Sequence, residues 1–217
     1  MTANAGAPTS VYLEVGRTRT FASAADWPGW CRAGKDERAA LEALAAYTPR
    51  YAAVAALANV PFPAKATDLD VTERLQGNAT TDFGAPGMPA KDETRPLTAT
   101  EAGRLCDLVD AAWMFLDKIV AKAPPILRKG PRGGGRDRDA MFDHVLGAES
   151  MYARQIGIRI KQPDGQDRTA ISAFRNAILE GLSDPNREAK WPIAYAARRT
   201  AWHVLDHAWE IEDRSEK

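Results

Sequence analysis

The sequence is poor in cysteine and contains no long apolar run. Its two cysteines, Cys31 and Cys106, stand far apart and form no CxxC pair, which argues against a cysteine-based zinc site or a disulfide framework. No apolar stretch approaches the roughly 20 residues that a membrane-spanning helix needs, so no membrane partner is expected. Lys and Arg together number 29, as do Asp and Glu. The chain therefore lacks the basic excess typical of nucleic-acid binding, and no nucleic-acid partner is expected.

Residues 1–10 are small and mostly uncharged. They lack the charged start and the apolar centre of a secretory signal peptide. From this the sequence predicts a cytoplasmic protein.

Residues 1–90 predict a small domain of mixed α and β structure. The segment VYLEVG, Val11–Gly16, has strand composition, and Leu69–Leu75 alternates apolar and polar residues as a half-buried strand does. Asp36 is placed to cap a helix that Pro49 kinks or divides. Glycines and prolines between Gly77 and Arg95 predict a linker or a long ordered loop.

Residues 91–217 predict four amphipathic helices. Thr98 and Glu101 form a capping box at the start of the first, and the others are expected at about 136–158, 167–182 and 192–212. Four such helices joined by short polar or glycine-rich links favour a four-helix bundle. The predicted fold class is therefore α+β, with an α/β domain followed by an all-α one.

The placement of the three histidines is the most informative feature of the sequence. His203 and His207 are four residues apart in the segment HVLDH, so one face of a helix carries both. His144 lies on the apolar stripe of the second predicted helix, which includes Met141 and Met151, and is expected to point into the bundle. The other two histidines are expected at the edge of their helix's apolar arc, beside a groove. Three imidazoles around one ion with one side open is typical of a catalytic metal site.

These residues and their order resemble the DinB superfamily of four-helix bundles, which includes the YfiT-like proteins and mycothiol-dependent maleylpyruvate isomerase. That family places one histidine on its second helix and an HxxxH or ExxxH on its last. His144 in DHVLGAESMYARQIG matches the first position, and His203 and His207 in RRTAWHVLDHAWEIEDR match the second. The resemblance covers residues 96–217.

The resemblance implies a divalent metal, zinc or nickel, bound by His144, His203 and His207. Such a site would activate water or a low-molecular-weight thiol, so a small-molecule substrate, a thiol cofactor and a transferase or hydrolase reaction are expected. Asp206, Glu210 and Gln155 are candidates for orienting ligands or handling protons, with solvated helix-face positions as the alternative. Members of the family often dimerise, which makes a homodimer a further expectation.

Three arginines are candidates for cofactor binding. Arg132 and Arg136 belong to the glycine-rich stretch KGPRGGGR, which leads into the second predicted helix and has the composition to hold a carboxylate or phosphate. The stretch lacks the GK[ST] of a P-loop, and a flexible link between helices is the alternative. Arg199 precedes the histidine pair on the last helix.

The N-terminal segment FASAADWPGWCRAGKDERAALEAL resembles the HicB-type antitoxin fold. The resemblance extends over about fifty residues and rests on a strand, the Pro28-Gly29 turn, the step at Gly34 and the helix from Asp36. It implies a partner-binding or accessory domain. The alternative function is therefore a HicB-like interaction or regulatory protein whose metal site is structural or vestigial.

Overall fold

The computed structural model describes residues 8–63, 66–130 and 134–215. The chain forms two compact units, Met1–Arg95 and Pro96–Lys217. In the described residues the fold is mixed α and β, with seven α-helices and one four-stranded mixed sheet. This agrees with the predicted α+β class at that coarse level.

The first unit is built on the sheet. Its strands are β1 (Thr9–Val15), β2 (Thr20–Ala24), β3 (Cys31–Gly34) and β4 (Leu69–Gln76), in the order β3-β2-β1-β4. The pairs β1–β2 and β2–β3 are antiparallel, whereas β4 pairs parallel to β1 with a register shift between Val11 and Tyr12. Residues along β4 alternate between half-buried and exposed, as the sequence pattern predicts for this strand.

Two helices cross between β3 and β4. The first, α1 (Glu37–Ala46), begins where the Asp36 carboxylate accepts a hydrogen bond from the Ala39 amide, which confirms the predicted cap. Pro49 divides the helical segment, because α2 (Thr48–Leu57) begins there with proline in its first turn. Trp30 stacks on Tyr51 at 5.6 Å between ring centroids, and its indole N–H donates to the Leu44 carbonyl at 3.0 Å.

The segment after β4 is more ordered than a linker. It contains α3 (Ala79–Phe83), which Asn78 caps, and a 3-10 helix (Lys91–Thr94). The buried Glu14 carboxylate of β1 accepts hydrogen bonds from the Thr81 hydroxyl and from the Gly87 and Met88 amides. These short helices could not be predicted from the sequence, because they lie among glycines and prolines and have no apolar stripe. Side-chain hydrogen bonds at their first turns stabilise them.

The second unit consists of four long helices around one core. They are α4 (Ala99–Lys122), α5 (Arg138–Gln155), α6 (Arg168–Ser183) and α7 (Ile193–Ser215). The capping box at the start of α4 is present, with the Thr98 side chain accepting from the Glu101 amide at 3.2 Å. α4 and α7 each pack against the other three helices, and the contact between these two is the most extensive in the unit.

The buried face of α5 agrees only in part with the predicted one. Met141, Val145 and Ala148 are buried as predicted. Met151, assigned to the same stripe, is 56% exposed, whereas Glu149 and Ser150 are buried. Apolar periodicity was therefore wrong at Met151 and could not indicate the two polar residues that α5 buries.

Candidate metal centre

The three histidines of the sequence come together where α5 meets α7. Each offers a ring nitrogen, and these nitrogens all lie within 4.8 Å of one another. The ring centroids of His203 and His207 are 4.5 Å apart, and that of His144 lies 5.1 and 5.0 Å from them. One turn of α7 supplies two of the rings, and the packing of α5 against α7 supplies the third.

His203 is more deeply buried than His144, the opposite of what the sequence predicts. His203 is only 7% exposed, whereas His144 is half-buried. The prediction that His144 points inward while His203 lies at a groove edge was therefore wrong in this respect. The reason is that α7 is buried around almost its whole circumference, its arginines and tryptophans included, so its apolar arc does not mark the limit of burial.

His203 carries an unsatisfied polar atom. Its Nδ1 is buried and has no hydrogen-bond partner within the described residues. Burial holds the pKa of His203 well below its usual range, and the neighbouring histidines and arginines act in the same direction. Burial likewise lowers the pKa of His144. Both shifts favour the neutral ring, which is the form in which imidazole binds a metal.

His207 is oriented by a carboxylate. Its Nδ1 lies 3.2 Å from Glu210 Oε2, and Glu210 Oε1 accepts a hydrogen bond from the Arg214 guanidinium at 2.9 Å. The hydrogen bond from His207 is the largest cause that lowers the pKa of Glu210, and Arg214 adds to it. A charged carboxylate on Nδ1 leaves Nε2 as the ligand atom, an arrangement common for histidines that bind metals. Glu210 therefore positions His207.

Arg214 is a residue that the sequence analysis missed. Its Nε donates to the Arg128 carbonyl at 2.7 Å, while the Arg128 amide donates to the Arg214 carbonyl at 3.0 Å. The loop after α4 is thus fixed to the end of α7. The spacing Glu210–Arg214, i to i+4 on a helix, was the available signal.

Aromatic rings stand beside the histidines. The Tyr152 ring lies 5.8 Å from that of His203 and 5.4 Å from that of Trp191, and Trp202 lies 6.0 Å from His203. Burial raises the pKa of Tyr152. These contacts make one side of the centre apolar and limit the water that can reach it.

Two of the three predicted cofactor-binding arginines lie close enough to act on the histidines. The charge of Arg136 lowers the pKa of His144 and of His203, and that of Arg199 also lowers the pKa of His203. Arg199 is 7% exposed, whereas Arg136 is exposed. Arg132 lies outside the described residues.

The other two predicted site residues are placed differently. Gln155 is the last residue of α5, eleven residues and so about 16 Å along the helix axis from His144. Its main-chain carbonyl accepts from the Lys190 and Trp191 amides at 3.0 and 3.1 Å. Asp206 is half-buried on α7, one position before His207 in the sequence.

Three imidazole nitrogens form a donor set that zinc and nickel accept. Nitrogens in a tetrahedral zinc site are about 3.3 Å apart, as follows from bonds of about 2.0 Å. The spread of the three histidine nitrogens, which lie within 4.8 Å of one another, is therefore wider than the spacing in a metal-bound site. With three protein ligands, one coordination position remains for another molecule.

No protein-family model matches this chain, and neither a curated protein nor a solved structure matches it.

No described helix is long and apolar enough to cross a membrane.

Proposed function

We propose that this chain is a metal-dependent enzyme in which His144, His203 and His207 hold one zinc or nickel ion. Its proposed reaction is a thiol transfer or a hydrolysis. The observation that carries the proposal is the buried, unpartnered Nδ1 of His203 inside a cluster of three ring nitrogens. A neutral buried imidazole with an unmet nitrogen is unfavourable unless something binds there.

The reaction class follows from the donor set. A divalent metal with three histidine ligands and one free position supplies a nucleophile at neutral pH, by favouring the deprotonated form of water or of a thiol. Glu210 fixes the tautomer and orientation of His207, and Arg214 keeps that carboxylate charged. Tyr152 and Trp202 exclude water from one side. No cysteine of the described chain belongs to the cluster, so a reacting thiol would come from a small molecule.

The resemblance to the DinB superfamily is part of the same proposal. It is supported by two histidines on the last long helix and one on the second long helix of a four-helix unit. For the first unit, a HicB-like fold is proposed on the strand order and the turn at Gly29, whose φ is 90°. A cytoplasmic location and a homodimer remain predictions.

Metal content is the decisive experiment. The purified chain is reconstituted with zinc or nickel, dialysed, and its bound metal counted by elemental analysis. We expect about one ion per chain, and its loss in His144→Ala, His203→Ala and His207→Ala. Glu210→Gln should still bind, with an affinity about 10- to 100-fold weaker, because the residue only orients a ligand. Glu180→Gln, which makes the same change at an exposed position of α6, is the matched control and should bind normally.

Two results would contradict the proposal. One is the absence of bound metal after reconstitution with either ion, and the other is stoichiometric metal that survives all three histidine substitutions. To separate the two reaction classes, the cobalt-loaded chain is titrated with a small thiol. A new thiolate-to-cobalt absorption band supports thiol transfer, whereas an unchanged spectrum favours hydrolysis.

A further inference from the structure

Arg199 is a buried cation to which the described part of the chain offers no anion. It is 7% exposed, and its NH1 atom is buried without a hydrogen-bond partner among the described residues. No described carboxylate forms a salt bridge with it. A charged group removed from water is strongly unfavourable unless it is paired.

Arg175 in the same unit provides a comparison at equal burial. It too is 7% exposed, but both of its terminal nitrogens donate to the Asp117 carboxylate, at 2.8 and 3.1 Å. This two-pronged pairing is the usual arrangement for a buried arginine. Arg199 is equally buried but has no such carboxylate among the described residues. A carboxylate from a bound molecule would give Arg199 the pairing that Asp117 gives Arg175.

The Arg199 guanidinium is held in place by aromatic rings. It lies 4.7 Å from the centroid of the Trp202 ring and 5.2 Å from that of Tyr152. Stacking of this kind offsets part of the penalty of burial and fixes the plane of the guanidinium. It does not satisfy the N–H donors of the guanidinium, and the NH1 atom stays buried without a hydrogen-bond partner among the described residues.

Arg199 is also adjacent to the histidine cluster. It precedes His203 by four residues, so both side chains lie on one face of α7. Tyr152 contacts both of them, since its ring lies 5.8 Å from that of His203. An anion on Arg199 would therefore lie beside the proposed metal and not on a remote surface.

The local charge favours an anionic ligand as well. Three imidazole ligands carry no negative charge and so do not neutralise a divalent cation. Arg136 places a further positive charge near His203. The Glu210 carboxylate does not offset these charges, because it is already paired with Arg214. We propose that Arg199 recognises a carboxylate of the substrate or of the thiol cofactor at the histidine site. This inference deepens the proposed function and rests on it for the identity of the site. The binding of a carboxylate by Arg199 can nevertheless be tested without the metal.

The experiment is a carboxylate titration followed by nuclear magnetic resonance. Succinate is added to the ¹⁵N-labelled full chain, with and without zinc, and sodium chloride at equal ionic strength is the reference. The indole N–H signals of Trp202 and Trp191 report on the site. We expect saturable shifts with succinate and none with chloride.

Substitutions at Arg199 identify its contribution. Arg199→Met should weaken succinate binding about 10- to 100-fold, as expected for the loss of charge-assisted hydrogen bonds. Arg199→Lys retains the charge but loses the planar fork, so its affinity should be intermediate. Arg198→Met is the matched control, because it removes the same charge from the adjacent position of α7, which is also buried at 3% exposure, and it should bind like the parent. Zinc content should be unchanged in all three variants.

Each outcome decides the matter. Equal succinate affinity in the parent and Arg199→Met, with loss in His203→Ala, would place the carboxylate on the metal and overturn the role of Arg199. The absence of specific shifts in the parent, with and without zinc, would also overturn it. If no zinc binds at all, the proposed function fails, and the titration of the metal-free chain still tests Arg199.

Discussion

Glu149 is a carboxyl group in the core of the second unit, on α5 and 1% exposed. Its Oε1 accepts a hydrogen bond from the Trp113 indole N–H, and its Oε2 has no partner among the described residues. Burial raises the pKa of Glu149 from 4.5 to about 7, although the positive charge of Arg175 opposes the shift. Replacement of this carboxyl by the neutral amide of Gln therefore tests the energetics of the core directly.

The magnitude follows from the difference between the two pKa values. A shift from 4.5 to about 7 corresponds to roughly 3 kcal/mol, at about 1.4 kcal/mol per unit. The folded state holds this proton more tightly than the unfolded state does. The stabilisation from Glu149 is therefore fully present below pH 4.5, falls as the pH rises, and is lost above the folded pKa of about 7. At pH 8 this group alone makes the parent about 3 kcal/mol less stable than at low pH.

The assay is urea unfolding across a pH series, followed by the helical circular dichroism signal. Glu149→Gln keeps an oxygen acceptor for Trp113 and has no proton to lose. Its free energy of unfolding should decrease less between pH 5 and pH 8 than that of the parent, by about 2.5 kcal/mol, because part of the loss has already occurred at pH 5. Glu180→Gln, at an exposed position of α6, makes the same charge change and should follow the parent. Parallel curves for the parent and Glu149→Gln would refute the reasoning.

Two further predictions concern a thiol and a glycine of the same unit. Burial raises the pKa of Cys106 to about 11 from 9.0, so its alkylation by iodoacetamide at pH 8 should be about 100-fold slower in the native chain than in urea, and equal rates would contradict this. Gly135 has a φ of 115°, and an added Cβ would lie 2.8 Å from the Arg214 guanidinium, so Gly135→Ala should lower the free energy of unfolding by about 1–2 kcal/mol and weaken zinc binding. Gly134→Ala, whose Cβ would meet no atom within 4 Å, is the control, and equal effects of the two substitutions in thermal unfolding and metal titration would refute the prediction.

Local patterns predicted the elements that depend on local interactions. The capping box at Thr98 and the alternation along β4 require only neighbouring residues, and both are present. The pairing of His203 with His207 is of the same kind, because a helix places residues i and i+4 together whatever surrounds it. The proximity of His203 and His207 could therefore be predicted from local spacing, whereas that of His144 depends on the packing of α5 against α7.

The extent to which each side chain is buried, and the partners of the buried charges, could not be predicted from local patterns. Periodicity predicts which face of a helix turns inward, but the extent of burial depends on the neighbours that cover it. Arg199 illustrates the difficulty, since a charged residue on a helix is ordinarily exposed and only the rings of Tyr152 and Trp202 reveal why it is not. The inner face of α5 was predicted only in part for a related reason, since Glu149 and Ser150 are polar and yet buried.

The histidine centre depends on a single tertiary contact, and this follows from how its parts are distributed along α7. One face of that helix carries two histidines, the carboxylate that orients one of them, and a cation at each end, at spacings of four, four, three and four residues: Arg199, His203, His207, Glu210 and Arg214. Residues at these spacings fall within a narrow arc, so the helix itself arranges them. Only His144 lies on another helix, α5, and the packing of α5 against α7 places it beside the other two histidines. The entropy of bringing three ligands together is thus reduced to that of placing one, which explains how a cluster of this kind forms in a unit of four helices whose one cysteine, Cys106, is free and forms no disulfide.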